Sequence, residues 1–330
     1  TGASGYIGGD ALHLLRSTHP EYQCSVLLRD SAKAAAVSKA YPEVRIVSGD
    51  LDSASLIAEE ARQADVVINT ASNKHMGSVE AIARGLANRT GPKPGHWIQV
   101  SGASVLSIPD IVNGTFGDAS GKLYDDVNDA DELRDIIRKN ATTRVVDDYL
   151  LRVQGPKTAI IFPSIIYGQG KGPVNQRSIQ IPELSRVAIQ SRQTVQVGKG
   201  ESTWSNIHVA DLSAVFVKLV EKALAGEEGD LWNQNGLYLV GNVGLPFGNI
   251  SQLIAETTHG LGLTDSNSVK SVSGSEADSL MAKGSVFWGT NARQQSQRAS
   301  KLLGWRAQQH SLEQEIPLTV RAEAKRQGKL

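Results

Sequence analysis

The chain has 330 residues, 40% of them hydrophobic, which is more than a plain nucleotide-binding unit requires and enough to bury a large core. Lysine plus arginine equals aspartate plus glutamate at 34 each, so no net charge draws the protein to nucleic acid or to an anionic membrane. The single cysteine, Cys24, excludes an internal disulfide framework, no apolar run reaches the roughly 18 residues of a membrane span, and the expected compartment is the cytoplasm.

The first eight residues, Thr1-Gly2-Ala3-Ser4-Gly5-Tyr6-Ile7-Gly8, set three glycines at G-x-x-G-x-x-G spacing directly before a helical pattern. Glycine permits a sharp turn and close approach of a pyrophosphate, and the following helix offers free N–H groups. The run therefore predicts a dinucleotide site, with Gly2, Ser4, Gly5, Tyr6 and Ile7 against the ligand. Such a turn is fed by a buried strand, so apolar residues are expected before Thr1. Strand-like runs at 25–28, 44–47, 65–69 and 97–100 then alternate with helical stretches at 31–40, 53–64 and 78–88, the pattern of a doubly wound parallel α/β sheet. Residues 105–131 read as a long loop over the ligand-binding edge. A helix from about Asp131 to Leu151 and a strand at 157–162 follow. The chain is expected to divide into a dinucleotide-binding domain, 1–163, and a smaller, mainly substrate-binding α/β subdomain, 164–330, with 237–240 returning a strand to the sheet. Seven histidines show no zinc spacing, and no metal site is expected.

These motifs in this order resemble the extended short-chain dehydrogenase/reductase family, its epimerase/dehydratase-like branch, with NmrA-like features. The glycine turn, Gly49-Asp50-Leu51, Asn69-Thr70-Ala71-Ser72, Phe162-Pro163-Ser164-Ile165-Ile166-Tyr167-Gly168, Trp204 to Leu212 and Leu302-Leu303-Gly304-Trp305 carry the likeness. It implies a Rossmann sheet whose first strand is truncated here. It also implies cofactor contacts from Asp50, Leu51, Thr70, Ala71, Ser72, Ser101, Arg144, Pro163, Ser164 and Ile166. A carboxylate after the second strand would hold the ribose of NAD; here Arg29 follows Leu28, with Lys33 one helical turn on. NADP(H) is therefore favoured over NAD(H).

The family's Tyr-x-x-x-Lys pair is missing. Its register puts Asn140 at the tyrosine and Arg144 at the lysine; Asn140 cannot exchange a proton near neutrality, and Arg144 stays charged. Tyr167 to Lys171 spells the motif, but in a glycine-rich loop without a helical scaffold. Tyr124 and His75 are the first candidates for acid/base work, with Ser101 and Ser104 as hydroxyl donors. Each also reads as an ordinary loop or turn residue. Lys74, Tyr167, Gln169, Arg177, Trp204 and His208 are candidates for the substrate side; His208 reads equally as a structural hydrogen-bonding group. Three functions remain open: an oxidoreductase acting on a small carbonyl or activated alkene, a non-catalytic NADP(H) sensor, and a nucleotide-sugar epimerase or dehydratase. The resemblance also makes a homodimer through the helices at 78–88 and 138–151 reasonable, since those helices correspond to ones that pair in many relatives.

Overall fold

The computed structural model describes residues 1–330. The glycine turn leads into α1 (Tyr6–Thr18), followed by β1 (Ser25–Leu28), α2 (Ser31–Ala40), β2 (Arg45–Ser48), α3 (Ala54–Gln63), β3 (Val66–Asn69), α4 (Met76–Ala87) and β4 (His96–Val100). Next come α5 (Ile108–Asn113), β5 (Tyr124–Asp125), α6 (Ala130–Lys139), α7 (Val145–Arg152), β6 (Lys157–Pro163) and β7 (Ile165–Tyr167). The remainder holds α8 (Gln180–Ser191), β8 (Thr194–Val197), β9 (Thr203–His208), α9 (Val209–Ala225), β10 (Leu237–Val240), β11 (Asn242–Pro246), α10 (Phe247–Gly260) and β12 (Val269–Val272). It ends with α11 (Gly274–Leu280), α12 (Gly284–Gly289), β13 (Gln294–Gln295), α13 (Gln297–Leu303) and α14 (Leu312–Arg326).

The central sheet is parallel, in the order β10-β6-β4-β3, and a second parallel ladder joins β1 to β2. All of β4 and nearly all of β6 are buried, as expected where helices cover both faces of a parallel sheet. Helices α3, α4 and α7 pack together, while α1 packs on α9. No ladder joins β1 to β3. Thr1 instead borders β3, its ammonium donating to the Ile68 carbonyl at 2.7 Å and its own carbonyl accepting from Thr70 N at 3.2 Å. The late strand β10 runs parallel to β6, with Leu237 opposite Ile160. Smaller ladders pair β11 with β9, β9 with β7, β8 with β12 and β5 with β13.

Two elements differ from the sequence reading. The stretch 105–131 is not one loop: it carries α5, and β5 pairs with β13. The expected helix from Asp131 to Leu151 is broken into α6 and α7. At the break the Asn140 side chain donates to the Ile136 carbonyl, while the Asn140 carbonyl accepts from Thr143 N and Arg144 N. Asparagine competes with the helix backbone in this way, and two β-branched threonines follow it. Asp147 and Asp148 then sit in the first turn of α7, where acids favour a new helix start.

Candidate active site at the carboxyl edge of the sheet

At Gly2 the backbone has φ +81°, and a Cβ there would run into Thr70 Oγ1. A Cβ on Gly8 would strike the same hydroxyl and the Gly2 carbonyl. The turn thus lies hard against the end of β3. Gly5 caps α1 without any side chain, so the first amides of α1, from Tyr6 and Ile7, keep their donors for an anion. Ser4 is half-buried beside them. This is a cradle for a pyrophosphate, and the residues present fit a dinucleotide.

Around it, Arg29 and Lys33 stand exposed after β1, and neither guanidinium nor ammonium has an ion-pair partner within 4 Å. Asp50 is exposed after β2; its carboxylate accepts from Ser53 Oγ at 2.8 Å, which holds its pKa below the ordinary value. Leu51 is half-buried beside it. At the end of β3, Asn69 donates to Gln99 Oε1 (2.8 Å), and Gln99 donates to the Ser72 carbonyl (3.1 Å). This buried amide pair fixes the Thr70–Ser72 turn; Ala71 is exposed on it.

A loop at 168–178 lies along α1. Tyr6 Oη donates to the Gly168 carbonyl at 2.6 Å, and Lys171 N donates to Asp10 Oδ1 at 2.8 Å. Gly172 meets Gly9 so closely that a Cβ on Gly172 would come within 2.7 Å of Gly9 backbone. The far end is fixed by Arg177, which bonds Glu323 of α14 at 2.6 Å and Glu183 of α8 at 2.8 Å. Gln169 is exposed and donates to Gln176 Oε1 at 3.0 Å.

Beyond β4 lies the second polar cluster. Arg144, at the start of α7, donates to Ser104 Oγ (2.9 Å) and to the Gly102 carbonyl (3.5 Å). Its Nη1 is 3.7 Å from Asp147 Oδ2, which also accepts from Ser101 Oγ at 2.8 Å. Both ionic side chains are inside, Arg144 at 10% and Asp147 at 2% exposure. Burial pushes the Asp147 carboxyl up to about 6 and lowers the Arg144 pKa from its ordinary value. The sequence reading brought Ser101, Ser104 and Arg144 to this place but passed over Asp147. Its signal is the acid three residues after Arg144, the spacing at which helical side chains meet.

The other candidates lie elsewhere. His75 caps α4, with Nδ1 accepting from Ser78 N (3.1 Å) and Nε2 3.0 Å from Asp52. Tyr124 is in the main core, with the Lys122 ammonium 4.8 Å from its ring centroid, and burial raises its phenol pKa. That shift is opposite to the one an acid/base tyrosine needs. Lys74 is exposed; its backbone N donates to Ser72 Oγ at 3.1 Å, and its ammonium has no bonded partner. Trp204 is buried and donates to Thr290 Oγ1 at 3.3 Å. Tyr167 donates to the His310 carbonyl at 2.8 Å and stands edge-on to His208. His208 caps α9 through Nδ1, and burial lowers its pKa. Pro163 ends β6, Ser164 donates to the Val240 carbonyl at 3.2 Å, and Ile166 packs on the second core cluster.

A glycine cradle at the carboxyl edge of a doubly wound parallel sheet, with a polar cluster after β4, defines an NAD(P)-binding protein of the extended short-chain dehydrogenase/reductase family, and the chain belongs to it. Residues 2–143 match the family model for NAD(P)H-binding domains. The chain is 36% identical to the oxidase ucsJ of Acremonium sp., over 99% of this chain and 97% of that protein. It is 25% identical to the uncharacterized protein YLL056C of Saccharomyces cerevisiae, over 96% of both. Among solved structures, the dTDP-glucose 4,6-dehydratase of Bacillus anthracis in complex with NAD aligns at TM-score 0.66 and 14% identity, covering 99% of this chain and 96% of that one. The UDP-glucose 4-epimerase of Thermotoga maritima aligns at TM-score 0.60 and 15% identity, over 99% and 98%.

Proposed function

We propose that this protein is an NADP(H)-dependent oxidoreductase acting on a small carbonyl or activated-alkene metabolite. The observation that carries the reading is the pre-bonded cluster of Arg144, Ser104, Ser101 and Asp147 after β4. Burying a guanidinium and a carboxylate is costly, and such a perturbed pair beside two serine hydroxyls points to a working site. The relative named an oxidase supports redox chemistry. The amides of α1 would hold the pyrophosphate, Arg29 and Lys33 the 2′-phosphate, and Asp50 and Leu51 the adenine side. Thr70, Ala71, Ser72 and Pro163 would border the nicotinamide half. The bound nicotinamide supplies or removes a hydride. Arg144 keeps its charge and orients Ser104 toward an oxygen that becomes negative.

A second reading, a non-catalytic NADP(H) sensor, is favoured by Asn140, whose amide is turned back onto α6 instead of toward the site. One experiment separates the two: anaerobic mixing with NADPH and a panel of aldehydes, ketones and enones, followed by loss of NADPH absorbance. Turnover is expected; tight NADPH binding without turnover of any compound selects the sensor. For the cofactor, titrations should give tighter binding of NADPH than of NADH, and Arg29→Ala should erase the difference. One lost charge-assisted phosphate contact is worth about 1.5–3 kcal/mol, or roughly 10- to 100-fold in affinity. Equal affinities in the unmodified protein would refute the preference.

A further inference from the structure

We propose that Ser101 and Asp147 form a proton relay in place of the absent tyrosine, while Ser104, held by Arg144, receives the substrate oxygen. This deepens the oxidoreductase reading and rests on it. The two hydroxyls after β4 have opposite hydrogen-bond polarity. Ser104 Oγ accepts from Arg144 Nη2 at 2.9 Å, so its own proton is free for a carbonyl oxygen. Ser101 Oγ gives its proton to Asp147 Oδ2 at 2.8 Å, so its lone pairs remain free to accept from an alcohol.

Asp147 is built for the other end of the transfer. Its Oδ1 is buried without any hydrogen-bond partner. A carboxylate in that position is poorly solvated, and taking a proton relieves it. Arg144, at 3.7 Å, is the charged group whose field reaches it, and that guanidinium stays protonated throughout. When Asp147 carries the proton on Oδ2 the hydrogen bond reverses: Asp147 donates, and the Ser101 proton is released for the substrate oxygen.

In reduction, the carbonyl carbon receives a hydride from the reduced nicotinamide. The C=O π pair moves to oxygen, beside the Ser104 hydroxyl. That oxygen takes the Ser101 Oγ proton, and Ser101 takes the proton of Asp147. Asp147 is left as a carboxylate and recovers its proton from water. In oxidation each transfer runs backward: the substrate O–H proton passes through Ser101 to Asp147 as the hydride leaves carbon. No other oxidant or reductant is needed.

Two readouts test this. The infrared carboxyl stretch of the whole protein, with Asp147→Asn as the blank, reports the Asp147 proton without any substrate; the blank also removes the signal of Asp126, another buried acid. NADPH consumption with phenanthrenequinone and the carbonyl panel reports turnover. In the unmodified protein we expect an Asp147 band titrating near pH 6 and a reduction rate that falls as pH rises through the same value. Asp147→Asn and Ser101→Ala should each lower kcat by about 10²-fold or more and flatten that pH limb. Asp147→Glu should restore part of the rate with a displaced limb. If Asp147→Asn fails to fold, Ser101→Ala carries the test, because it leaves the Asp147–Arg144 pair in place. A wild-type pH profile in Ser101→Ala, or no Asp147 band near pH 6, overturns the relay. A titrating Asp147 in a protein that consumes no NADPH with any carbonyl overturns the oxidoreductase reading and the relay with it.

Discussion

At Gly8 the physical constraint is space, not backbone freedom. Its helical backbone suits any residue, yet a methyl group would occupy the volume of Thr70 Oγ1 and the Gly2 carbonyl. Gly8→Ala must therefore push α1 away from β3 or open the turn. Overpacking of this kind costs about 1–3 kcal/mol. The expected outcome is a lower melting temperature together with NADPH binding weakened by roughly 10-fold or more, because the displaced amides are those we propose for the phosphates. A variant that melts lower yet binds NADPH as before would show that the close packing serves stability alone. Asp126 makes a contrasting point about residues. It is buried, accepts from Leu239 N and Arg298 N, and has its pKa pushed up to about 7. Despite the shift it belongs to the packing of α13 and β10, whereas Asp147, with a smaller shift, lies beside Arg144 and two serine hydroxyls after β4. Geometry, and not the size of a pKa shift, separates them.

At the scale of elements, the alternation of strands and helices up to β6 was legible because each segment buries one apolar stripe or run, and that periodicity is local. The break between α6 and α7 was not. Its cause is an asparagine side chain choosing the Ile136 carbonyl over solvent, and periodicity carries no trace of that choice. The break bears on the site: Asn140 turns its amide back onto the Ile136 carbonyl, while Arg144, at the start of the new helix, donates to Ser104 and lies beside Asp147. Tyr167 and His208 show a second limit of the sequence, since a motif names a loop without saying which groups its neighbours already engage. His208 also gives the loop a pH dependence. Its ring accepts from Ala210 N, which requires a neutral Nδ1, and it faces Tyr167, His310 and Asp211. Its folded pKa lies below the unfolded value, so its contribution to stability is complete above about pH 6.5 and is lost as pH falls through the folded pKa. His208→Asn keeps a helix-capping side chain without the titration. Its melting temperature should drop less on acidification than that of the unmodified protein, the remaining slope including buried His96, whose pKa is also lowered. Identical slopes would mean that the cap tolerates a charged ring.

At the scale of the whole molecule, the phosphate turn is tied to the far end of the chain. The loop at 168–178 starts on Tyr6 and Asp10 of α1 and ends at Arg177, whose guanidinium lies between Glu183 and Glu323. Glu323 is 3% exposed, and its other cation, Arg326, is 3.5 Å away on the surface. Asp211 adds a second tie, accepting from Gln308 N and Gln309 N just before α14. An arginine in a polar loop beside a substrate subdomain reads naturally as an anion-binding group. The two carboxylates assign it a different duty, as a strut between that loop, α8 and α14. The two roles predict different behaviour in the absence of any ligand. As a strut, Arg177→Ala leaves buried Glu323 with only the exposed Arg326 nearby, at a cost of about 3–5 kcal/mol, and the melting temperature of the free protein should fall by roughly 4–7 °C. Removing the stranded charge as well, in Arg177→Ala with Glu323→Gln, should recover much of that loss, and the double-mutant cycle should show strong coupling. Cofactor affinity should track the same series, because a loosened loop no longer presses Gly172 onto Gly9 beside the phosphate turn. If Arg177→Ala leaves the free protein as stable as before and changes only the response to substrate, the strut is refuted and the guanidinium belongs to the ligand.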